Sequence, residues 1–169
     1  MWYVIQTETG RESYVKQLIE RTVAPDVYQE LFIPRRRTMK RWRGEWRERI
    51  EPLVPGYLFV ITGQVERLSA DLRNVPALTK VLGTDNLFTP LSDEEVRVID
   101  QFTEGKHRLV DMSQGVIEGD GVVVTSGPLM GQEALITRID RHKRLAWVEI
   151  GILGRRKQVR LGLEIVRKA

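Results

Sequence analysis

The hydrophobic pattern of this chain of 169 residues changes in kind about two thirds of the way along. Residues 1–104 alternate short apolar strands with stretches of helical spacing, which is typical of an α/β domain. Residues 105–115 lack clear periodicity and predict a linker, and residues 116–169 contain only short strand-like stretches between turns rich in glycine and charge. The pattern predicts two domains. We expect the second to be a small β-barrel, because closing the sheet removes unpaired edges that so few strands could not otherwise protect.

Two motifs of the form Ser/Thr-x-x-Glu, at residues 9–12 and 92–95, predict the starts of two helices in the first domain. Between these motifs, residues 35–49 hold eight arginines and lysines, with Trp42 and Trp46 interleaved. This segment predicts a β-hairpin with Gly44 at or near its turn. Such a basic hairpin has two interpretations: a solvated ribbon whose charges keep an edge strand soluble, or a contact with nucleic acid.

The positive charge of the chain is concentrated near its C-terminal end. Residues 1–111 hold 17 basic and 17 acidic side chains, whereas residues 112–169 hold 10 basic and 6 acidic ones, and this asymmetry points to a polyanionic partner. If the barrel brings two basic turns together, they form one RNA-binding face; otherwise they are an ordinary solvated surface. The candidate residues are Arg138, Arg141, His142, Lys143, Arg144, Arg155, Arg156, Lys157 and Arg160.

The composition argues against an enzyme and against a metal or cofactor site. The chain has no cysteine, and its two histidines, His107 and His142, are far apart in sequence. We find no glycine-rich phosphate loop and no Ser/His/Asp arrangement, and the acidic cluster at residues 93–95 suits the first turn of a helix. Without a signal peptide or an apolar run of about 20 residues, the expected protein is a cytoplasmic monomer that makes no membrane contact.

Three motifs, in this order, resemble the NusG family of transcription elongation factors. They are Trp-Tyr-Val-Ile at residues 2–5, Pro-Gly-Tyr-Leu-Phe-Val at residues 55–60, and the glycine-rich run at residues 119–131. The resemblance implies an α+β fold: an N-terminal NGN domain, with an antiparallel sheet and flanking helices, and a C-terminal KOW domain, which is a small SH3-like barrel. In the KOW motif, residues 127–131 make the turn between two strands.

The resemblance also implies partners. In the NGN domain, the strand after Pro-Gly-Tyr contributes to an apolar depression that binds the clamp helices of the largest subunit of RNA polymerase. The matching residues are Gln6, Leu53, Val54, Pro55, Tyr57 and Phe59. Alternation alone favours structural core for the apolar residues of this strand. A further contact, with non-template DNA or with RNA, is expected from Arg41, Arg43, Arg67 and Arg73.

The basic segment at residues 152–160 separates this chain from general NusG proteins. There the family carries an aromatic-Gly-Arg sequence that helps contact a ribosomal protein or the termination factor Rho, whereas this chain has Ile-Leu-Gly-Arg-Arg-Lys. It therefore resembles the specialised paralogues, LoaP more than RfaH, which implies a bacterial, operon-specific processive antiterminator that recognises a hairpin in the nascent leader RNA. Two alternatives remain open: a general elongation factor that couples polymerase to the ribosome or Rho, and a ribosome-associated KOW protein that binds RNA.

Overall fold

The structure is a computed structural model that describes residues 1–84, 87–103, 105 and 107–166. Two compact units are present: the first unit comprises Met1–Pro34 and Val54–Ile99, and the second comprises Arg35–Leu53 and Asp100–Ala169. The predicted domains at 1–104 and 116–169, joined by 105–115, stay a prediction. Glu104, Lys106 and residues 167–169, which belong to those predicted segments, lie outside the described residues.

Strands predominate in both units, and three helices lie in the described part of the chain. None of those helices is long and apolar enough to cross a membrane. In chain order the elements are β1 (Trp2–Gln6), α1 (Glu12–Thr22), β2 (Glu30–Phe32), β3 (Arg35–Trp42), β4 (Glu45–Pro52), β5 (Tyr57–Ile61), α2 (Val65–Leu72), β6 (Lys80–Val81), β7 (Gly83–Thr84), β8 (Leu87–Phe88), α3 (Asp93–Thr103), β9 (Leu109–Val110), β10 (Ser113–Glu118), β11 (Gly121–Ser126), β12 (Ile136–Asp140), β13 (Leu145–Ile152) and β14 (Arg155–Ile165).

The first unit is built on an antiparallel sheet in the order β2-β5-β1-β6. One face of this sheet packs on α1 and α2, and the side chains of Ile5, Ile19, Leu58 and Leu68 are completely buried there. Alternation in β1 and β5 places every second residue in this core. The predicted mixture of an antiparallel sheet and flanking helices is therefore confirmed.

The two predicted capping boxes have different outcomes. At residues 92–95 the box is confirmed, because Ser92 N donates to Glu95 Oε1 at 2.9 Å and Glu95 N donates to Ser92 Oγ at 3.2 Å. At residues 9–12 the predicted helix start is confirmed, since α1 begins at Glu12, but the box is not: Arg11 is the N-cap and no side chain caps the helix. The Glu12 carboxylate instead accepts hydrogen bonds from Gly10 N at 2.8 Å and Gly56 N at 2.9 Å.

Gly56 lies at a close approach between the Pro-Gly-Tyr turn and the chain that follows β1. Its φ is +84°, and a Cβ at this position would lie 3.0 Å from Thr9 Oγ1 and 3.3 Å from the Thr7 carbonyl oxygen. The Gly56 carbonyl accepts a hydrogen bond of 2.8 Å from Thr7 N. Glycine is required here for both its left-handed conformation and its lack of a side chain.

The second unit joins a long hairpin to the C-terminal strands. Strands β3 and β4 form the predicted hairpin, and Trp42 pairs with Glu45 across a turn at Arg43 and Gly44, which confirms the predicted turn. Strand β3 also pairs in parallel with β9. The segment expected to be a linker thus contains β9 and the start of β10, because pairing with strands distant in sequence orders it.

The C-terminal strands form a curved, half-barrel sheet in the order β11-β10-β14-β13-β12. Residues 127–131 lie between β11 and β12, as predicted, and the turn is closed by Met130 N donating to the Gly127 carbonyl at 3.1 Å. Glu133, which follows this turn, accepts a hydrogen bond of 3.1 Å from Val124 N. Backbone N–H groups, its own first and then that of Val124, hold the pKa of Glu133 below its ordinary value.

Replacing Glu12 with alanine is expected to lower the free energy of unfolding by about 2–3 kcal/mol, because the amides of Gly10 and Gly56 lose their acceptor. Glu20→Ala is the matched control, since Glu20 lies on the same helix and forms a surface ion pair with Lys16. That control is expected to cost less than about 0.5 kcal/mol. Urea unfolding followed by circular dichroism measures both, and equal losses would contradict the role given to Glu12.

Candidate nucleic-acid interface

The residues predicted to bind polymerase differ widely in exposure. Gln6 and Pro55 are exposed and Tyr57 is half-buried, whereas Val54 and Phe59 are buried. Phe59 belongs to a ring cluster, because its centroid lies 5.8 Å from that of Phe32, which lies 5.3 Å from Trp2. Leu53 is also buried, and it belongs to the second unit. Of the residues predicted to bind polymerase, Phe59 is therefore part of the core. Tyr57 and Gln6, which pair in register, are accessible.

The four arginines predicted to contact DNA or RNA lie in different units. Arg67 and Arg73 are exposed in the first unit, and Arg67 forms an ion pair of 3.2 Å with Asp26. Arg41 and Arg43 lie near the hairpin tip, over the rings of Trp46 at 5.9 Å and Trp42 at 5.6 Å. Of these four arginines, Arg41 and Arg43 are the two that lie over aromatic rings of the hairpin.

The hairpin is anchored at its base by the buried side chain of Arg36. The guanidinium donates to the Leu53 carbonyl at 3.3 Å and to Glu51 Oε2 at 3.2 Å. Burial lowers the pKa of Arg36, Arg160 lowers it further, and Glu51 opposes both effects. A charge in this environment depends on its partner, because an unpaired buried charge is strongly destabilising.

A groove of about 510 Å³ lies between the hairpin and the C-terminal sheet, entirely within the second unit. We call it the tryptophan groove, after the half-buried Trp46 in its wall. The Arg144 guanidinium lies 4.0 Å from the centroid of this ring. The groove is lined by Arg36, Thr38, Met39, Lys40, Arg41, Trp46, Arg49, Glu51, His142, Lys143, Leu145 and Arg160.

Arg144 is held in an unusual backbone conformation at the turn between β12 and β13. Its φ is +54°, in the left-handed region that costs an L-residue roughly 1–2 kcal/mol. The backbone maintains this conformation through the Arg144 carbonyl, which accepts a hydrogen bond of 2.9 Å from Leu163 N. The residue that covers Trp46 is thus fixed at its backbone by β14.

The outer face of the C-terminal sheet carries a tryptophan between two arginines. Trp147 pairs with Arg138 on β12 and with Arg160 on β14, and residues paired in register share one face of a sheet. The Arg138 guanidinium lies 4.7 Å from the Trp147 centroid. We call these three residues the outer strip. Trp147 was not among the residues predicted to bind RNA, and the buried Ala146 and Val148 on either side show that it points outward.

The two basic turns do not form one cluster. The turn holding Arg141, His142, Lys143 and Arg144 precedes β13, whereas Arg155 pairs with Ile152 at the opposite end of that strand. Eight residues of strand extend over about 23 Å. Only Arg160 from the second group joins the first, because it pairs with Trp147 and lines the tryptophan groove.

The outer strip and the groove are rich in cations that have no acidic partner. In the part of the chain that the structure describes, Arg138, Lys143 and Arg160 form no ion pair. At the far end of β13, Arg156 pairs with Glu149 at 3.1 Å. Unpaired cations beside half-buried aromatic rings provide both phosphate attraction and stacking surfaces.

Comparison with known proteins agrees with this architecture. Residues 1–100 match the family model described as "Transcription termination factor nusG", and residues 118–150 match the one described as "KOW motif". The chain belongs to the NusG family. Its NusG match ends before the C-terminal sheet, and its KOW match includes Arg138 and Trp147 but ends before Arg160 and the basic turn at residues 155–157.

Relatives named "Transcription termination/antitermination protein NusG" resemble nearly the whole chain. The protein from Rickettsia felis is 25% identical, with 99% of this chain and 89% of the relative covered. The Campylobacter jejuni protein is also 25% identical, with 99% and 96% covered. Among solved structures, "Domain interaction in Thermotoga maritima NusG" has a TM-score of 0.55 and 25% identity, covering 95% of this chain and 92% of that one.

Replacing Glu51 with alanine is expected to lower the free energy of unfolding of this NusG-family chain by about 1–3 kcal/mol, because the buried Arg36 loses its carboxylate partner. The loss is smaller than for a fully buried pair, since 31% of the Glu51 side chain is exposed. Glu45→Ala, at the exposed tip of the same strand, is the control and is expected to change stability by less than about 0.5 kcal/mol. Chemical unfolding measures both variants; no difference between them would count against the anchoring role of Arg36.

Proposed function

We propose that this protein is a bacterial, operon-specific antiterminator that binds RNA polymerase through its first unit and a hairpin of nascent leader RNA through its second. The names of its relatives support a role in termination or antitermination. The observation that carries the RNA assignment is the outer strip, where Trp147 lies between Arg138 and Arg160. Arginine binds phosphate, stacks on bases and makes bidentate contacts with guanine.

An RNA hairpin is the proposed ligand because of how these groups are distributed. Base-paired stems expose phosphates to cations such as Lys143, while loops and bulges expose bases that stack on aromatic rings. The basic turn at residues 155–157, about 23 Å away at the other end of β13, extends the proposed contact to more distant phosphates.

Polymerase binding is assigned to the first unit, at its clamp-helix site around Gln6, Pro55 and Tyr57, which are at least partly accessible. Val54 and Phe59 are buried, so we assign them a supporting role beneath this surface, whereas Leu53 is buried in the second unit. The protein acts in the cytoplasm as a monomer and carries out no chemical step. Arg41, Arg43, Arg67 and Arg73 remain candidates for contacts with non-template DNA.

The proposed mechanism combines tethering with stabilisation of the closed clamp. A ligand shifts a conformational equilibrium only through its different affinities for the two states, so the protein must bind the closed clamp more tightly than the open, paused one. Simultaneous attachment to the RNA hairpin raises the local concentration of the protein at selected operons. Operon specificity then follows from the RNA and not from the polymerase.

The second candidate is a general elongation factor that couples polymerase to the ribosome or Rho. It is favoured by the resemblance to general NusG proteins over 99% of the chain. The lack of an aromatic residue at positions 152 and 153 argues against it. A ribosome-associated KOW protein accounts less well for the NusG match over residues 1–100.

Binding of the full chain to a pool of structured leader RNAs, across a salt series, tests the RNA assignment. The wild type is expected to select one hairpin at physiological salt. Arg138→Ala/Arg160→Ala is expected to abolish this selection, lower affinity at least about tenfold and reduce the magnitude of the salt slope by about two. Arg155→Ala/Arg156→Ala/Lys157→Ala is expected to weaken all RNAs alike, because these residues are assigned to phosphates.

Arg21→Ala/Arg97→Ala is the matched control, since it removes two positive charges from exposed positions in the first unit. It is expected to leave RNA selection unchanged. Weak binding without selection by the wild type, fading as salt rises, would favour the general elongation factor. Equal losses in the control and the outer-strip variant would mean that net charge alone drives binding.

A further inference from the structure

The tryptophan groove contains features that a plain phosphate-binding surface does not require. The ring of Trp46 is approached by two guanidinium groups, Arg144 at 4.0 Å and Arg41 at 5.9 Å. The ring is half-buried, whereas Trp42 on the same hairpin is 51% exposed and does not line the groove. Trp46 is therefore a positioned ring inside a concave site.

The chemistry of the lining indicates a ligand that is both flat and anionic. Lys143 and Arg160 have no ion pair among the described residues and can meet a phosphate. Thr38 offers a hydroxyl oxygen beside these cations, and a hydroxyl can accept a hydrogen bond from an amino or imino group of a base.

We propose that the tryptophan groove binds one unpaired nucleotide of the RNA, with its base stacked on Trp46 beside Arg144 and its phosphate at Lys143 and Arg160. The volume of about 510 Å³ lies within the range of small-molecule sites. A base within a stem has both faces covered by its neighbours, so the groove selects a loop or bulge nucleotide. This inference rests on the proposed function and names the residues that recognise an unpaired base.

RNA is favoured over single-stranded DNA because the groove is continuous with the outer strip. Arg160 belongs to both: it pairs with Trp147 on the sheet and lines the groove beside Trp46. A hairpin that contacts the outer strip can therefore place a loop or bulge nucleotide in the groove. Stacking is tolerant of sequence, since every base has a π-face, so a simple loop sequence is enough for a test.

The test compares four proteins and three probes by fluorescence anisotropy. The full-length proteins are the wild type, Trp46→Ala, Trp46→Phe and, as the matched control on the same hairpin, Trp42→Ala. The probes are a hairpin RNA with a loop of uridines, the same hairpin with base-free riboses in its loop, and single-stranded oligothymidine. Thermal unfolding of each protein checks that the hairpin variants are folded.

Trp46→Ala is expected to weaken binding of the uridine-loop hairpin about tenfold, while Trp42→Ala changes it less than about twofold. Trp46→Phe is expected to recover most of the loss, because phenylalanine also stacks. On the base-free loop, wild type and Trp46→Ala are expected to bind equally weakly. Equal binding of the base-free loop by the two proteins indicates a loss of stacking, since a general loss of structure or charge in Trp46→Ala would weaken its binding to both hairpins.

Three results would overturn the inference. Equal effects of Trp46→Ala and Trp42→Ala would show that the groove is not a base site, and so would a tenfold loss on the base-free loop. Tighter binding of oligothymidine than of the hairpin would assign the groove to DNA.

Outer-strip variants separate this inference from the proposed function. If they abolish hairpin selection while Trp46→Ala has no effect, only the groove inference fails. If the wild type binds neither RNA probe, the groove inference fails, and the pool of leader RNAs decides the proposed function.

Discussion

The close approach of β3 to β14 is the constraint on which the second unit depends. A Cβ at Gly162 would lie 2.8 Å from the Arg37 carbonyl oxygen, so only glycine allows the two backbones to come this close. The approach places the buried Arg36 in the same environment as Arg160, and Glu51 compensates the resulting charge. Without this approach the hairpin would be an isolated two-stranded ribbon, which is marginally stable in water, and the tryptophan groove would lose one wall.

Local signals predicted much of the fold, because they act over a few residues. The reciprocal bonds of Ser92 and Glu95, the turn at Arg43 and Gly44, and the alternation in β1 are all encoded within short segments. The box at residues 9–12 does not form, because the Glu12 carboxylate accepts a hydrogen bond from Gly56 N, 44 residues away. Strands β9 and β10 were missed for a related reason: their order comes from pairing with β3 and β14, and periodicity carries no information about such partners.

The candidate site was predictable in composition but not in arrangement. Counting charges identifies the basic residues of both C-terminal turns, yet only the register of β13 shows that the turns lie at its opposite ends. The same register brings Arg160 beside Trp147, and a separate contact brings Arg144 onto Trp46 from a segment about 100 residues later in the chain. These are long-range pairings, and a single sequence contains no local signal for them. Burial likewise divides the predicted polymerase residues, since Phe59 is core while Gln6 on the neighbouring strand is exposed.

An arginine that already covers Trp46 is compatible with a base taking its place. A cation–π contact is worth about 0.5–1 kcal/mol at an exposed site and about 2 kcal/mol when desolvated, and stacking of a base on an aromatic side chain is worth about 1–3 kcal/mol, so a base can replace the guanidinium on the half-buried Trp46 ring at little cost. The displaced Arg144 guanidinium remains beside the ligand and gains a phosphate or a base edge as a partner. Until then its stacking limits the motion of the ring, which reduces the side-chain entropy lost on binding. The left-handed backbone of Arg144, bonded to Leu163 on β14, keeps this residue in place throughout the exchange.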